Sequence, residues 1–247
     1  MDILSFIGLI IGIGAIIGGQ LLEGGYVASL VNGPACVIVV GGTIGAAMLQ
    51  SPINIFISSL KMSLWVIFPS LRTNDISIEK IIHWSHIARK EGLLGLEDVL
   101  ENESDSFSQK GLQLLVDGNE PDVIRNVMKI EMDTRKYNGL QAAKVFEAMS
   151  RYSIAIGIMG TSIGIVQVMP NLPDTTRLGT GIATAFVATI YGLGLANLIL
   201  LPMASKLMSH VKELAQYHDM VIEGIISIAD GENPRNIETK LHSFLNG

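Results

Sequence analysis

Hydrophobic positions in this chain come in long uninterrupted blocks rather than in the mixed patterns of a water-soluble domain. Ile3–Leu22, Val27–Leu60, Tyr152–Pro173 and Leu178–Ser205 each lack a charged residue. A membrane-crossing helix needs about 20 mostly apolar residues, so each block predicts one span. The second and fourth are longer than that, leaving a surplus for a loop or a helix extension. Between the second and third blocks lie some ninety polar-patterned residues. There Thr73-Asn74-Asp75 reads as a cap for a helix over Ile76–Arg89, whose Ile78, Ile81, Ile82 and Ile87 cluster toward one face. Asn102–Ser108 is a polar joint, Gly111–Val116 and Val123–Ile130 are short amphipathic pieces, and Lys136–Arg151 is a helix running into the third span. Beyond the fourth block, Leu207, Val211, Leu214 and Val221 predict a helix over Lys206–Ala229.

The predicted fold class is an all-α integral membrane protein with four transmembrane helices. It divides into a first hairpin (1–60), a cytoplasmic helical domain (61–151), a second hairpin (152–205) and a C-terminal cytoplasmic helical tail (206–247). Asp2 and the lack of a basic leader or a small-residue cleavage site make the first block a retained span rather than a signal peptide.

Two segments share the pattern D-G-x-x-P-x-x-I: Asp117–Ile124 and Asp230–Ile237. Glycine just past a helix end and proline at the first position of the next helix make the same corner twice.

Composition agrees with the pattern: 49% of the 247 residues are hydrophobic and 16% charged. Of the 17 Lys and Arg residues, all but Arg177 fall in 61–151 or after Ser205. The positive-inside rule therefore places the insert, the tail and both termini in the cytoplasm. A net charge of −6 argues against a nucleic-acid surface. The single Cys36 leaves no disulfide or multi-cysteine metal site.

Candidate chemistry is defined by an absence: no Asp, Glu, Lys, Arg or His interrupts the four blocks. A proton relay needs a titratable group in the membrane, so if this protein moves protons, a partner must bring the acid. The hydroxyls nearest mid-span are Thr161 and Thr189. Each can either bond back to the carbonyl four residues earlier or face an ion path. Gly8/Gly12, Gly14/Gly18, Gly41/Gly45 and Gly160/Gly164 have the spacing that brings helix backbones together, within or between subunits. Pro202 can kink the fourth span. His83 and His86 lie one helical turn apart with no third ligand in view, and no catalytic motif occurs, so no enzyme, metal site or cofactor is expected. Arg89-Lys90-Glu91 followed by Glu97-Asp98 is either a solvated helix face or a contact surface.

Four stretches occur in order: Ala88-Arg89-Lys90-Glu91-Gly92-Leu93-Leu94-Gly95-Leu96-Glu97, Leu115-Val116-Asp117-Gly118, Gly160-Thr161-Ser162-Ile163-Gly164 and Asp230-Gly231-Glu232-Asn233-Pro234-Arg235. Within the hairpin–insert–hairpin plan they resemble the MotA/PomA/MotC group of flagellar motor stator proteins over essentially the whole length. The resemblance implies a ring of five copies in the bacterial inner membrane around a single-span MotB/PomB-type partner, whose membrane Asp carries the ion. It implies that Arg89, Lys90 and Glu97 press on the rotor protein FliG, and that Thr161 and Thr189 line the ion path. The coupling ion is H+ or Na+. Thr161 matches sodium-driven members, whereas "NGPACVIVVGGT" and "LQAAKVFEAMSRY" resemble the proton-type branch. Where the group commonly has Ala-Pro, this chain has Ser153-Ile154; Pro202 is retained. The alternatives are an ExbB/TolQ-like energising subunit and a non-conducting membrane scaffold.

Overall fold

A computed structural model of the chain describes residues 3–67, 74–171 and 175–244. Every regular element among them is helical. The elements are α1 (Ile3–Leu22), α2 (Gly33–Gln50), α3 (Ile53–Ile67), α4 (Asn74–Glu91), α5 (Glu97–Asn102), α6 (Ser106–Val116), α7 (Pro121–Val168), α8 (175–229) and α9 (Pro234–His242). α1, α2, the later part of α7 and the earlier part of α8 are long and apolar enough to cross a membrane.

The chain forms two compact units, one from 1–69 with 139–208 and the other from 70–138 with 209–247. In the first, α2 packs against α8, and α1 lies beside the stretch of α8 around Leu195–Leu200. Two short segments in these helices, Val37–Gly41 and Leu195–Leu200, are wound as π-helix. The second lies just before Pro202, whose missing N–H and bulky ring disturb the preceding turn. The surplus of the second apolar block is a separate helix, α3, set off at Ser51-Pro52.

The second unit is held by a core of Ile78, Ile81, Phe107, Leu112, Leu115, Ile124, Met128, Ile225, Ile237 and Leu241, all fully buried. α9 packs on α4. The imidazole of His218 stacks on the Phe107 ring at 3.8 Å between centroids. The repeated corner is built as its pattern predicts. Gly118 and Gly231 both have φ of 70°, a conformation costly for any side chain. The two turns close with the same bonds, Asn119 N–H to the Leu114 carbonyl at 3.2 Å and Glu232 N–H to the Ser227 carbonyl at 3.0 Å. Pro121 and Pro234 then open the next helices.

Val123–Ile130 and Lys136–Arg151 are not separate pieces: both belong to the 48-residue α7. The intervening Glu-Met-Asp-Thr-Arg contains neither Gly nor Pro. Met132 is buried at 5% exposure, and Arg135 bonds Glu131 at 2.7 Å across one turn, which carries the helix through.

Candidate functional site

The third and fourth spans meet along a row of small residues. In α7 these are Gly157, Gly160 and Gly164; in α8 they are Ala185, Ala188 and Gly192. Both sets are spaced three then four, so each makes one stripe on its helix, and the antiparallel stripes pair as Gly157 with Gly192, Gly160 with Ala188 and Gly164 with Ala185. A Cβ at Gly192 would sit 2.6 Å from the Ser153 carbonyl oxygen, and one at Gly164 the same distance from the Ala185 Cβ. The backbones therefore lie nearly in contact, which only glycine allows.

The other glycine pairs behave differently. Among the described residues, a side chain at Gly8, Gly14, Gly18, Gly41 or Gly45 would meet nothing within 4 Å, and Gly12 faces only Leu198. Within one chain, only Gly160/Gly164 closes a helix–helix contact through both of its members. The spacing marks small faces but says nothing of what covers them.

On this seam sit the two mid-span hydroxyls. Thr161 is buried and does not bond back along its own helix. Its Oγ1 donates across the seam to the Ala185 carbonyl at 3.0 Å and lies 2.6 Å from Thr189 Oγ1. A hydroxyl has one hydrogen; with that of Thr161 given to Ala185, Thr189 is the donor between the two. Both lone pairs of Thr189 Oγ1 then remain open. The nearby Ser162 and Thr184 do bond back, to Ile158 and Thr180. Close approach of the backbones at Gly157, Gly160 and Gly164 is what puts the α8 carbonyl within reach of Thr161.

Beside the seam lies a cavity of about 400 Å³ between α2, α7 and α8. Gly160, Gly164, Ala185 and Ala188 form part of its wall, and Asn32, Gln167, Thr180 and Thr184 supply polar groups. Tyr191 fixes the start of α2: its hydroxyl donates to the Leu30 carbonyl at 2.6 Å and accepts from Asn32 N–H at 3.0 Å. Ser153, which precedes the Ile154 position where proline is expected from the resembled group, is buried and donates to the Gly192 carbonyl at 2.9 Å. α7 runs unbroken through Ile154.

In the second unit Arg89 and Lys90 close α4, Gly92 turns the chain with φ of 80°, and a 3-10 turn over Leu93–Leu96 leads to Glu97 at the start of α5. Leu96 is fully buried and anchors the turn. Arg89, Lys90 and Glu97 are exposed and make no ion pair or side-chain hydrogen bond among the described residues. Their charges are thus free for an external surface. His83 and His86 are both exposed on α4.

The Gly157–Gly192 contact and the Ser153 bond are features that sequence reasoning missed. The signal was present as matching three–four spacings of small residues in two separate helices, but pairing them requires knowing which helices meet. Pro202, exposed on α8, lies two residues past the end of the π-wound stretch.

Residues 99–220 match the MotA/TolQ/ExbB proton channel family. The chain is 35% identical over 246 residues to a motility protein A of Borreliella burgdorferi, covering 99% of this chain and 94% of that protein. It is 32% identical over 247 residues to the chemotaxis protein PomA of Vibrio alginolyticus, covering 100% and 96%. Among solved structures, the C. jejuni MotAB structure superposes with a TM-score of 0.95 at 26% identity, over 99% of this chain and 96% of that one. The Bacillus subtilis flagellar MotAB stator complex gives 0.88 at 31% identity, over 97% and 94%. Identity at this level over the full length, with the same fold, places the chain in the MotA/TolQ/ExbB proton channel family, within its motility protein A group.

Proposed function

We propose that in this flagellar stator subunit the Thr161–Thr189 pair forms one wall of the ion path, and that a MotB-type partner supplies the carboxylate the spans lack. The observation that carries the reading is the hydroxyl pair itself, with Thr161 buried and Thr189 half-buried between two spans that hold no ionisable residue, and bonded across the helix contact instead of along it. Thr189 keeps lone pairs available to a passing cation or to a water carrying a proton. Several copies surround the partner in the bacterial cytoplasmic membrane, five by family resemblance, with both termini on the cytoplasmic side.

One charge crossing 100 mV releases ~2.3 kcal/mol. Neutralising the partner's acid changes which part of the surrounding wall it prefers, and the copies step around it as rigid bodies. The exposed Arg89, Lys90 and Glu97 pass that step to the rotor protein FliG. Contacts between exposed charges are worth ~0.2–1 kcal/mol each, weak enough to engage and release at every step. The coupling ion is H+, with Na+ as the alternative that Thr161 favours.

Relatives that match over the full length include motility protein A from several bacteria and the chemotaxis protein PomA, and two spans precede the insert here. The ExbB/TolQ-like alternative, whose large insert follows its first span, is not favoured.

The test is swimming of cells whose only stator subunit is this chain or a variant. Arg89→Glu, Glu97→Lys and Thr189→Val are each expected to slow or abolish it while the protein stays in the membrane. Normal swimming in all three removes the reading.

A further inference from the structure

We propose that the second span holds an internal water molecule at Thr43, which bridges the threonine hydroxyl to backbone carbonyls of α2 and α8. Thr43 is fully buried, and its Oγ1 is the one buried side-chain oxygen or nitrogen among the described residues with no hydrogen-bond partner. Elsewhere in the spans Ser153, Thr161, Ser162 and Thr184 each donate to a carbonyl. A buried hydroxyl without a partner is costly, and lipid hydrocarbon offers it none. A threonine within an α-helix ordinarily bonds back to the carbonyl four residues earlier. For Thr43 that residue is Val39, inside the π-wound Val37–Gly41, where the carbonyls do not stand as they do in an α-helix.

The surroundings suit a water. Ala35, Val39, Thr43 and Ala47 recur every four residues, are all buried, and form one stripe of α2. Ala35 and Val39 pack with Ala188 of α8, and Tyr191 and Leu195 lie beside them. Successive spans alternate in direction, so the second and fourth run the same way. One turn inward from Val39, Thr43 is therefore level with the residues that follow Leu195. Those residues are the second π-wound stretch, Leu195–Leu200, whose buried Ala196 brings only a methyl group to the contact. A π turn interrupts the ladder of four-residue bonds and leaves a carbonyl without its usual N–H. Thr43 thus stands where both helices have an acceptor to spare. A buried water makes about three hydrogen bonds. Here it accepts from the Thr43 hydroxyl and donates one bond to each helix. A metal cation fits less well, because the spans carry no carboxylate to offset a buried charge. The bridge fastens the second span to the fourth where neither backbone closes its own bonds. The site lies within one chain, so the inference stands apart from the stator reading.

The test uses the full chain with its MotB-type partner, solubilised and imaged by electron cryo-microscopy at a resolution that shows ordered water. The expected result is a density peak about 2.5–3.0 Å from Thr43 Oγ1, also within bonding distance of a carbonyl from Val37–Gly41 or Leu195–Leu200. No peak there, with the hydroxyl itself resolved, overturns the proposal. Melting of the same complex is a second and independent measurement. Thr43→Val keeps the shape of the side chain and removes the hydroxyl. With a water bound, the substitution takes away one of its partners, and the midpoint is expected to fall by roughly 2–4 °C. With the hydroxyl merely orphaned, valine removes a buried penalty. A midpoint that rises or stays level therefore overturns the water site as well.

Discussion

Thr161 and Thr189 share a 2.6 Å hydrogen bond between the third and fourth spans, and the Thr161 hydroxyl donates its own hydrogen bond to the Ala185 carbonyl. Each hydroxyl therefore does a different job. Thr161 ties the two helices together. Thr189, donating to Thr161, keeps its acceptor capacity open.

This division predicts different outcomes for the two positions. Thr189→Val keeps the shape but removes the donor and the open lone pairs, so swimming speed is expected to fall several-fold. Thr161→Ser keeps both bonds and is expected to swim nearly as well as the parent. Thr161→Ala loses the cross-helix bond, about 1 kcal/mol, and is expected to lower the sodium dependence of swimming if any exists. Speed against external sodium at fixed pH, with and without a proton uncoupler, reads all three. Sodium-independent, uncoupler-sensitive swimming of the parent identifies H+ as the ion.

The seam predicts unequal tolerance among glycines that look alike in sequence. Gly192→Ala places a Cβ 2.6 Å from a backbone oxygen, which cannot move as a side-chain tip can. It is expected to separate the helices, break the Ser153 and Thr161 bonds and lower the thermal midpoint of the solubilised protein by several degrees. Gly14→Ala meets nothing within 4 Å among the described residues. Its monomer-level stability is expected to be unchanged, and any loss of swimming would then report a neighbouring copy or the partner.

The charged turn predicts reversal effects in swimming without effects on folding. Arg89, Lys90 and Glu97 are exposed and unpaired among the described residues, so reversing any of them alters only what an outside surface meets. Arg89→Glu and Glu97→Lys are expected to reduce torque measured on tethered cells while leaving the melting curve within a degree. A matching fall in melting temperature would make these residues structural.

Much of this was legible beforehand, for identifiable reasons. Spans show in a sequence because hydrocarbon excludes charge over a fixed length, and each of the four charge-free blocks falls on one of the four helices apolar enough to cross a membrane. The doubled corner shows because Gly118 and Gly231 need a conformation that other residues resist, and Pro121 and Pro234 fit only a helix start. Thr161 was legible as a hydroxyl but not as a cross-helix donor, because its partner carbonyl belongs to a residue 24 positions away. The unbroken α7 was hidden for a similar reason. Asp133 and Thr134 are poor helix formers, and the support they receive comes from buried Met132 and from the Glu131–Arg135 pair.

Glu223 of α8 joins α7 and α9 in the second unit. Its carboxylate pairs with Lys240 of α9 and, at 3.2 Å, with Arg125 of α7. Burial works to raise the Glu223 pKa, but the Lys240 hydrogen bond and the two positive charges outweigh it and hold the carboxyl below its ordinary range. The same hydrogen bond raises the Lys240 ammonium above its ordinary range, against burial. A depressed carboxylate contributes stability that is present above its unfolded pKa, near 4.3, and is lost as pH falls through the lower folded value. A raised lysine contributes stability that is present below its unfolded pKa, near 10.4, and is lost as pH rises through the higher folded value. The contribution is therefore flat between roughly pH 5 and pH 10. Both groups are partly exposed, so the pair is worth about 1 kcal/mol at most, or roughly 2–4 °C in melting temperature. Lys240→Met is expected to lower the midpoint by that amount across the plateau, and the difference from the parent should shrink at both ends. Melting curves of the solubilised protein from pH 4 to pH 11 check this, and a difference that stays constant to pH 4 would assign the stabilisation to packing of the Lys240 stem instead of to its charge.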